Sequence, residues 1–169
     1  ILPETCFCPR CLNKFALHIG TQISGEKTAD KARWILTHQD QAWRQWRNEI
    51  LNGWVTDMKA ILKNSRPAAL LGVFYCAWYP ADHDSALYRI LGIDVQALAR
   101  QADVLSPMLF HKMEGKPTPW VGDYIRWLGG LTKALPGAGP LIWPIVQAHN
   151  IPGVVTAEEF RKVMIEGSR

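Results

Sequence analysis

Asp103-Val104-Leu105-Ser106-Pro107-Met108-Leu109-Phe110-His111 is a short apolar run without helical period, bounded by polar loops. It reads as a strand of a covered sheet. Pro107 argues against full ladder pairing and predicts a bulge or kink near the strand end. The same pattern recurs on both sides. Upstream, Ala69-Leu70-Leu71-Gly72-Val73-Phe74-Tyr75-Cys76 predicts a strand buried on both faces. Downstream, Leu141-Ile142-Trp143-Pro144-Ile145-Val146-Gln147-Ala148 predicts a third.

Helical spacing fills the intervals. Trp43, Trp46, Ile50, Trp54, Met58, Ile61 and Leu62 recur at steps of three and four or close to them, which predicts one long helix over 39–63 with Pro67 after its stop. The expected packing of Trp43, Trp46 and Trp54 is against the outside of the sheet layer. A stretch with Phe15, Leu17 and Ile19 stops at Gly20, and Asp30 is expected to cap a helix through Ala32 and Trp34. Pro80, Asp82, His83 and Asp84 read as a loop, and Asp94 as the start of a short helix through Val95, Leu98 and Ala99. Val121, Tyr124, Ile125 and Leu128 mark a helix over 120–131, followed by a turn at Pro136-Gly137-Ala138-Gly139-Pro140. Thr156-Ala157-Glu158-Glu159 is a capping box opening a last helix, with Phe160, Val163 and Met164 inward.

Alternating helices and continuous apolar strands predict an α/β fold with a parallel sheet. Three strands do not finish such a sheet. The expectation is therefore a partial (β/α)8 TIM barrel, a fold of about 250 residues when whole. Residues 1–169 are expected to form a fragment of one barrel domain, with a Cys-rich segment over 1–20 and β/α units over 21–169. The start at Ile1 and the close at Gly167-Ser168-Arg169 read as interior cuts of a longer protein, or as a trimmed mature chain. A doubly wound open sheet is the alternative, but neither G-x-G-x-x-G nor a Walker pattern occurs.

Composition narrows the function classes. The 169 residues are 48% hydrophobic and 20% charged, which excludes disorder. Nineteen Lys and Arg against fifteen Asp and Glu leave a net charge of +4, too small and scattered to argue for nucleic acid or an anionic membrane. No apolar run reaches the roughly 18 residues of a membrane span. Eight Trp need deep sites or an amphipathic surface.

Cys6, Cys8 and Cys11 form C-x-C-x-x-C. Three thiols cannot all pair with one another, and this spacing suits tetrahedral Zn²⁺ with Zn–S bonds of about 2.3 Å. The expectation is structural zinc; reduced structural or partly disulfide-bonded cysteines are the alternatives. Cys76, His18 or an upstream residue is the candidate fourth ligand, although Cys76 also reads as a small buried apolar residue. Such cysteines favour a reducing compartment or metal protection, and secretion would need a signal peptide upstream.

Cys6-Phe7-Cys8-Pro9-Arg10-Cys11 followed by Phe15 resembles the zinc-binding cysteine run of bacterial clan A β-galactosidases. Together with Trp43-Arg44-Gln45-Trp46-Arg47 and the runs Leu105–His111 and Ile142–Ala148, the chain is similar to bacterial glycoside-hydrolase-like TIM-barrel proteins over most of its length. The resemblance implies barrel strands five, six and seven, a carbohydrate substrate, and a main catalytic carboxylate upstream. It also implies a Glu nucleophile at the end of strand seven, where this chain has Gln147. Gln is neither a nucleophile nor an acid.

Barrel sites lie at the C-terminal ends of strands. The catalytic candidates are Glu4, Asp82, Asp84 and Glu114, since a glycosidase needs two carboxyls about 5–9 Å apart. For Asp82 and Asp84, flanking His83, the plain alternative is a solvated loop with helix-capping carboxylates. Trp78, Tyr79 and Trp120 are candidate stacking platforms; Trp143, pointing either to the barrel interior or to the site, is a further substrate-binding candidate, with His111, Lys112 and Gln147 as hydrogen-bonding groups. His111 also reads as a structural imidazole. Two functions follow: a carbohydrate-active hydrolase with a structural zinc, or a non-catalytic carbohydrate-binding or structural barrel, for which Gln147 is the argument.

Overall fold

The computed structural model describes residues 6–135, 137 and 139–168. Among them are seven helices and a small, wholly parallel sheet. The chain is α/β, as its alternation predicts. It divides into two compact units, one over 1–54 and 78–94, the other over 55–77 and 95–169.

The first unit is helical. Helix α1 (Pro9–Ile19) starts with Pro at its first turn and closes on Gly20 at φ 63°. The Thr21 N–H donates to Ala16 and the Gly20 N–H to Leu17, a Schellman closure that needs this left-handed residue. In α2 (Thr28–His38) Asp30 sits one turn inside the helix and accepts from the Lys27 N–H at 3.3 Å, so it completes the cap from within rather than initiating the helix. Helix α3 (Asp40–Ser65) has nearly the predicted span.

Its Trp residues go elsewhere than expected. Trp43 stacks on Phe7 at 4.9 Å and meets Phe15 edge-on at 4.9 Å, with Trp46 5.1 Å away. Ile23, Ile35 and Leu12 complete that core. Trp54, Met58 and Ile61 are exposed. Apolar spacing marked the face correctly, but α1 and α2 cover only its first turns.

The predicted loop after the first strand is largely helical: α4 (Asp82–Arg89) contains His83, Asp84 and Ser85 at φ 50°, 57° and 58°. Left-handed backbone at three successive non-glycine residues costs about 1–3 kcal/mol each.

The second unit holds the sheet. Strand β1 (Gly72–Cys76) pairs with β2 (Val104–Leu109) without interruption, from Gly72 opposite Val104 to Cys76 opposite Met108. The third run is split into β3 (Leu141–Ile142) and β4 (Ile145–Val146), which pair with the two ends of β2 in one constant register. Pro107 therefore causes no bulge against β1. The carbonyls of Asp103 and Leu105 accept from Leu141 and Trp143, so the odd residues of β2 face the third strand. Pro107 lacks its N–H on that side, and the same register sets it opposite Pro144. That missing donor, which the register places at the Trp143 carbonyl, coincides with the gap in the third strand.

Helix α5 (Val95–Ala99) neighbours α6 (Pro119–Lys133), which packs beside α7 (Ala157–Gly167), and α7 also meets β4. Residue alternation then separates two faces of the sheet. Val73, Tyr75, Leu105 and Leu109 share the helix side, where the Tyr124 hydroxyl of α6 reaches that of Tyr75 at 3.5 Å. The other face carries the rows Gly72–Val104–Leu141, Phe74–Ser106–Trp143 and Cys76–Met108–Ile145. Phe74 is 65% and Trp143 56% exposed. The expectation of a first strand buried on both faces is thus corrected: β1 is covered on one.

Candidate metal centre and strand-end residues

Three thiols meet in front of α1. Pro9 begins the helix, which sets Cys8 at its N-cap and Cys11 one turn in. Cys6 adopts φ 73°, turning the chain back over the helix start. The Cys6 Sγ lies 3.5 Å from those of Cys8 and Cys11, and all three sulfurs fall within 4.8 Å of one another. A tetrahedral site with Zn–S bonds of about 2.3 Å has sulfur–sulfur edges of about 3.8 Å. The triangle therefore has the size of one face of such a site. All three cysteines are free thiols, far from disulfide bonding distance.

The thiols are electrostatically unequal. The Cys11 backbone N–H, then the neighbouring thiols, lower Cys8 to about 7. Burial, then the Cys6 and Cys8 sulfurs, push Cys11 up to about 12. A cation binding all three would hold them as thiolates. Among the described residues no fourth Cys, His, Asp or Glu joins the group. His18 is in ring contact with Phe15 and Trp46. Cys76 belongs to the second unit, where burial and then the charge of Glu114 raise its thiol pKa.

The other predicted residues divide between the units. Glu4 lies outside the described residues. In the first unit, the Asp82 carboxylate accepts from the Tyr79 N–H at 2.9 Å, and Asp84 pairs with Arg89 at 2.9 Å. Both are tied to local backbone or side chains, as helix-opening carboxylates are. Trp78 and Tyr79 are half-buried, and the Trp78 indole meets the His83 ring at 4.7 Å.

In the second unit, Gln147 is fully buried and all its hydrogen bonds run to backbone. Its Oε1 accepts from Lys112 at 3.0 Å and Met113 at 3.2 Å, while Nε2 donates to the carbonyls of His149 at 3.1 Å and Ile151 at 2.8 Å. It ties together the loops after β2 and β4, and offers no free amide to a ligand. A carboxylate would face those two carbonyls with no proton to give, which is the local reason for Gln over Glu.

Lys112 is occupied as well. Its Nζ binds both Glu159 oxygens at 2.8 and 3.0 Å and the carbonyl of Val154. With Thr156 closing the capping box, this holds Glu159 down at about 2. Lys112 is a staple between a strand-end loop and α7, a role its sequence position did not signal. His111 is 2% exposed, and among the described residues neither ring nitrogen has a hydrogen-bond partner. Desolvation lowers its pKa and favours the neutral imidazole. Glu114 is half-buried in the same strand-end loop, and Trp143 is open on the sheet face.

Among the described residues no helix is long and apolar enough to cross a membrane. Comparison with protein-family models, with curated proteins and with solved structures finds no match for this chain.

Proposed function

We propose that Cys6, Cys8 and Cys11 hold a structural zinc ion, and that the β/α units form an arc of a (β/α)8 barrel of the glycoside-hydrolase type. The observation that carries the metal reading is the triangle of thiols within 4.8 Å. Zinc fits because thiolates are its preferred soft ligands and the spacing is tetrahedral. The barrel reading is supported by parallel strands adjacent in chain order, consecutive helices side by side, and a sheet face on which Phe74 and Trp143 are exposed. In a barrel that face is the packed interior.

Cobalt(II) titration tests the metal. Thiolate ligation is expected to give sulfur-to-cobalt charge-transfer absorption in the near ultraviolet, saturating at one ion per chain and displaced by zinc. A titration without that band refutes cysteine ligation.

For the hydrolase, Glu114 is the carboxylate of choice in the second unit, since it lies in the loop that follows β2, at the C-terminal end of the parallel strands. The second reading, a non-catalytic carbohydrate-binding or structural barrel, is favoured by Gln147, whose amide is committed to backbone where the resemblance implies a nucleophile. Aryl glycosides separate the two. Under the hydrolase reading Glu114→Gln lowers kcat by about 100-fold or more, the scale of lost acid–base catalysis. Turnover equal in the variant and the parent removes Glu114 from the mechanism, and no turnover by either leaves the non-catalytic barrel.

A further inference from the structure

A pocket of about 540 Å³ opens in the first unit, with Cys6, Cys8 and Cys11 along one part of its wall. All its lining residues belong to that unit. Trp43, Trp46 and Trp54 form its walls with three aliphatic side chains. Pockets of about 300–1,000 Å³ take small organic molecules. Among the described residues no Asp, Glu, Asn, Gln, Ser or Thr lines it. Against the tryptophan and aliphatic walls a sugar would leave hydroxyls without partners, at about 1–3 kcal/mol for each one buried. The walls suit a flat apolar ring.

The rim adds a charge preference. Arg10, Lys14 and Arg47 line the pocket. The Arg47 guanidinium binds the carbonyls of Arg89 and Ile90. Arg10 and Lys14 have no carboxylate partner among the described residues. Zinc on three thiolates would carry one negative charge, so three cations leave the pocket positive with the metal in place.

We propose that this pocket binds a planar aromatic carboxylate, its ring against the tryptophans and its anionic end toward Arg10 and Lys14. The pairing rests on charge complementarity and does not require the metal. The probe is 2-naphthoate, titrated into the whole chain by calorimetry and tryptophan quenching, with 2-naphthylmethanol as its neutral counterpart. One saturable site is expected, about tenfold tighter for the acid, the scale of one charge-assisted hydrogen bond. Lys14→Gln and Arg10→Gln each reduce naphthoate affinity several-fold and leave the alcohol unchanged. Trp54→Ala, at an exposed position, weakens both probes. Equal affinity for acid and alcohol, or naphthoate binding indifferent to both charge removals, overturns the proposal. So does non-saturating uptake, which would show only a sticky apolar surface.

Discussion

With zinc on the three thiols as proposed, chelation is expected to lower the melting temperature of the chain by roughly 10 °C, with the loss centred on the first unit. A metal that binds only the folded state stabilises it by RT ln(1 + [L]/Kd), about 4 kcal/mol when free metal is a thousandfold above Kd. In a chain of this size each kcal/mol moves the melting temperature by about 2–4 °C. The effect is local because Cys8 and Cys11 open α1, and α1 brings Phe15 against Trp43. Phe7, between the cysteines, stacks on the same indole. Near-ultraviolet circular dichroism of these aromatics should report the release. Cys8→Ser is expected to abolish the zinc-dependent increment and Cys76→Ser to preserve it, since the converging thiols are those of Cys6, Cys8 and Cys11. The same melting temperature with and without chelator would show that the cysteines staple nothing.

Replacing Gln147 by Leu is expected to destabilise the chain by about 3 kcal/mol. The substitution removes partners from the amides of Lys112 and Met113 and the carbonyls of His149 and Ile151. A buried polar group left unpaired costs about 1–3 kcal/mol, and part of that cost is recovered where the loops readmit water. Gln147→Glu tests the identity of the group. It keeps an acceptor for the two amides but presents oxygen to two carbonyls, so it should also destabilise, and more as pH rises and the carboxyl ionises. Urea midpoints at unchanged m-value measure both. A loss below about 0.5 kcal/mol for Gln147→Leu, the scale of an ordinary surface change, would show that the clamp is not needed.

Local signals in the chain were read correctly where one residue's own chemistry was decisive. The long helix was predicted over 39–63 and spans Asp40–Ser65, because apolar spacing and the Pro67 stop act within one element. The capping box at Thr156 and Glu159 and the Gly20 closure of α1 are likewise local. Three apolar runs became parallel strands in chain order. The Cys-x-Cys-x-x-Cys spacing already confined its sulfurs to a small volume.

Partners set by tertiary structure were not legible. A run such as Leu70 to Cys76 has the same composition whether one face or two are covered, so only packing left Phe74 open. Helical period marked the face of Trp43 and Trp54 alike, and the placement of α1 buried one and not the other. The break between β3 and β4 falls where Pro107 has no N–H to give the third strand, and only the pairing decides which neighbour that position faces. Gln147 and Lys112 looked like groups awaiting a ligand. Their partners lie 34 to 47 residues away or in the fold of a loop, and these contacts made them structural. The sequence by itself determined the elements and the reach of the thiols, since both follow from short-range geometry. The tertiary structure alone decided which polar groups were spent on backbone and which apolar surface stayed open, because both depend on neighbours remote along the chain.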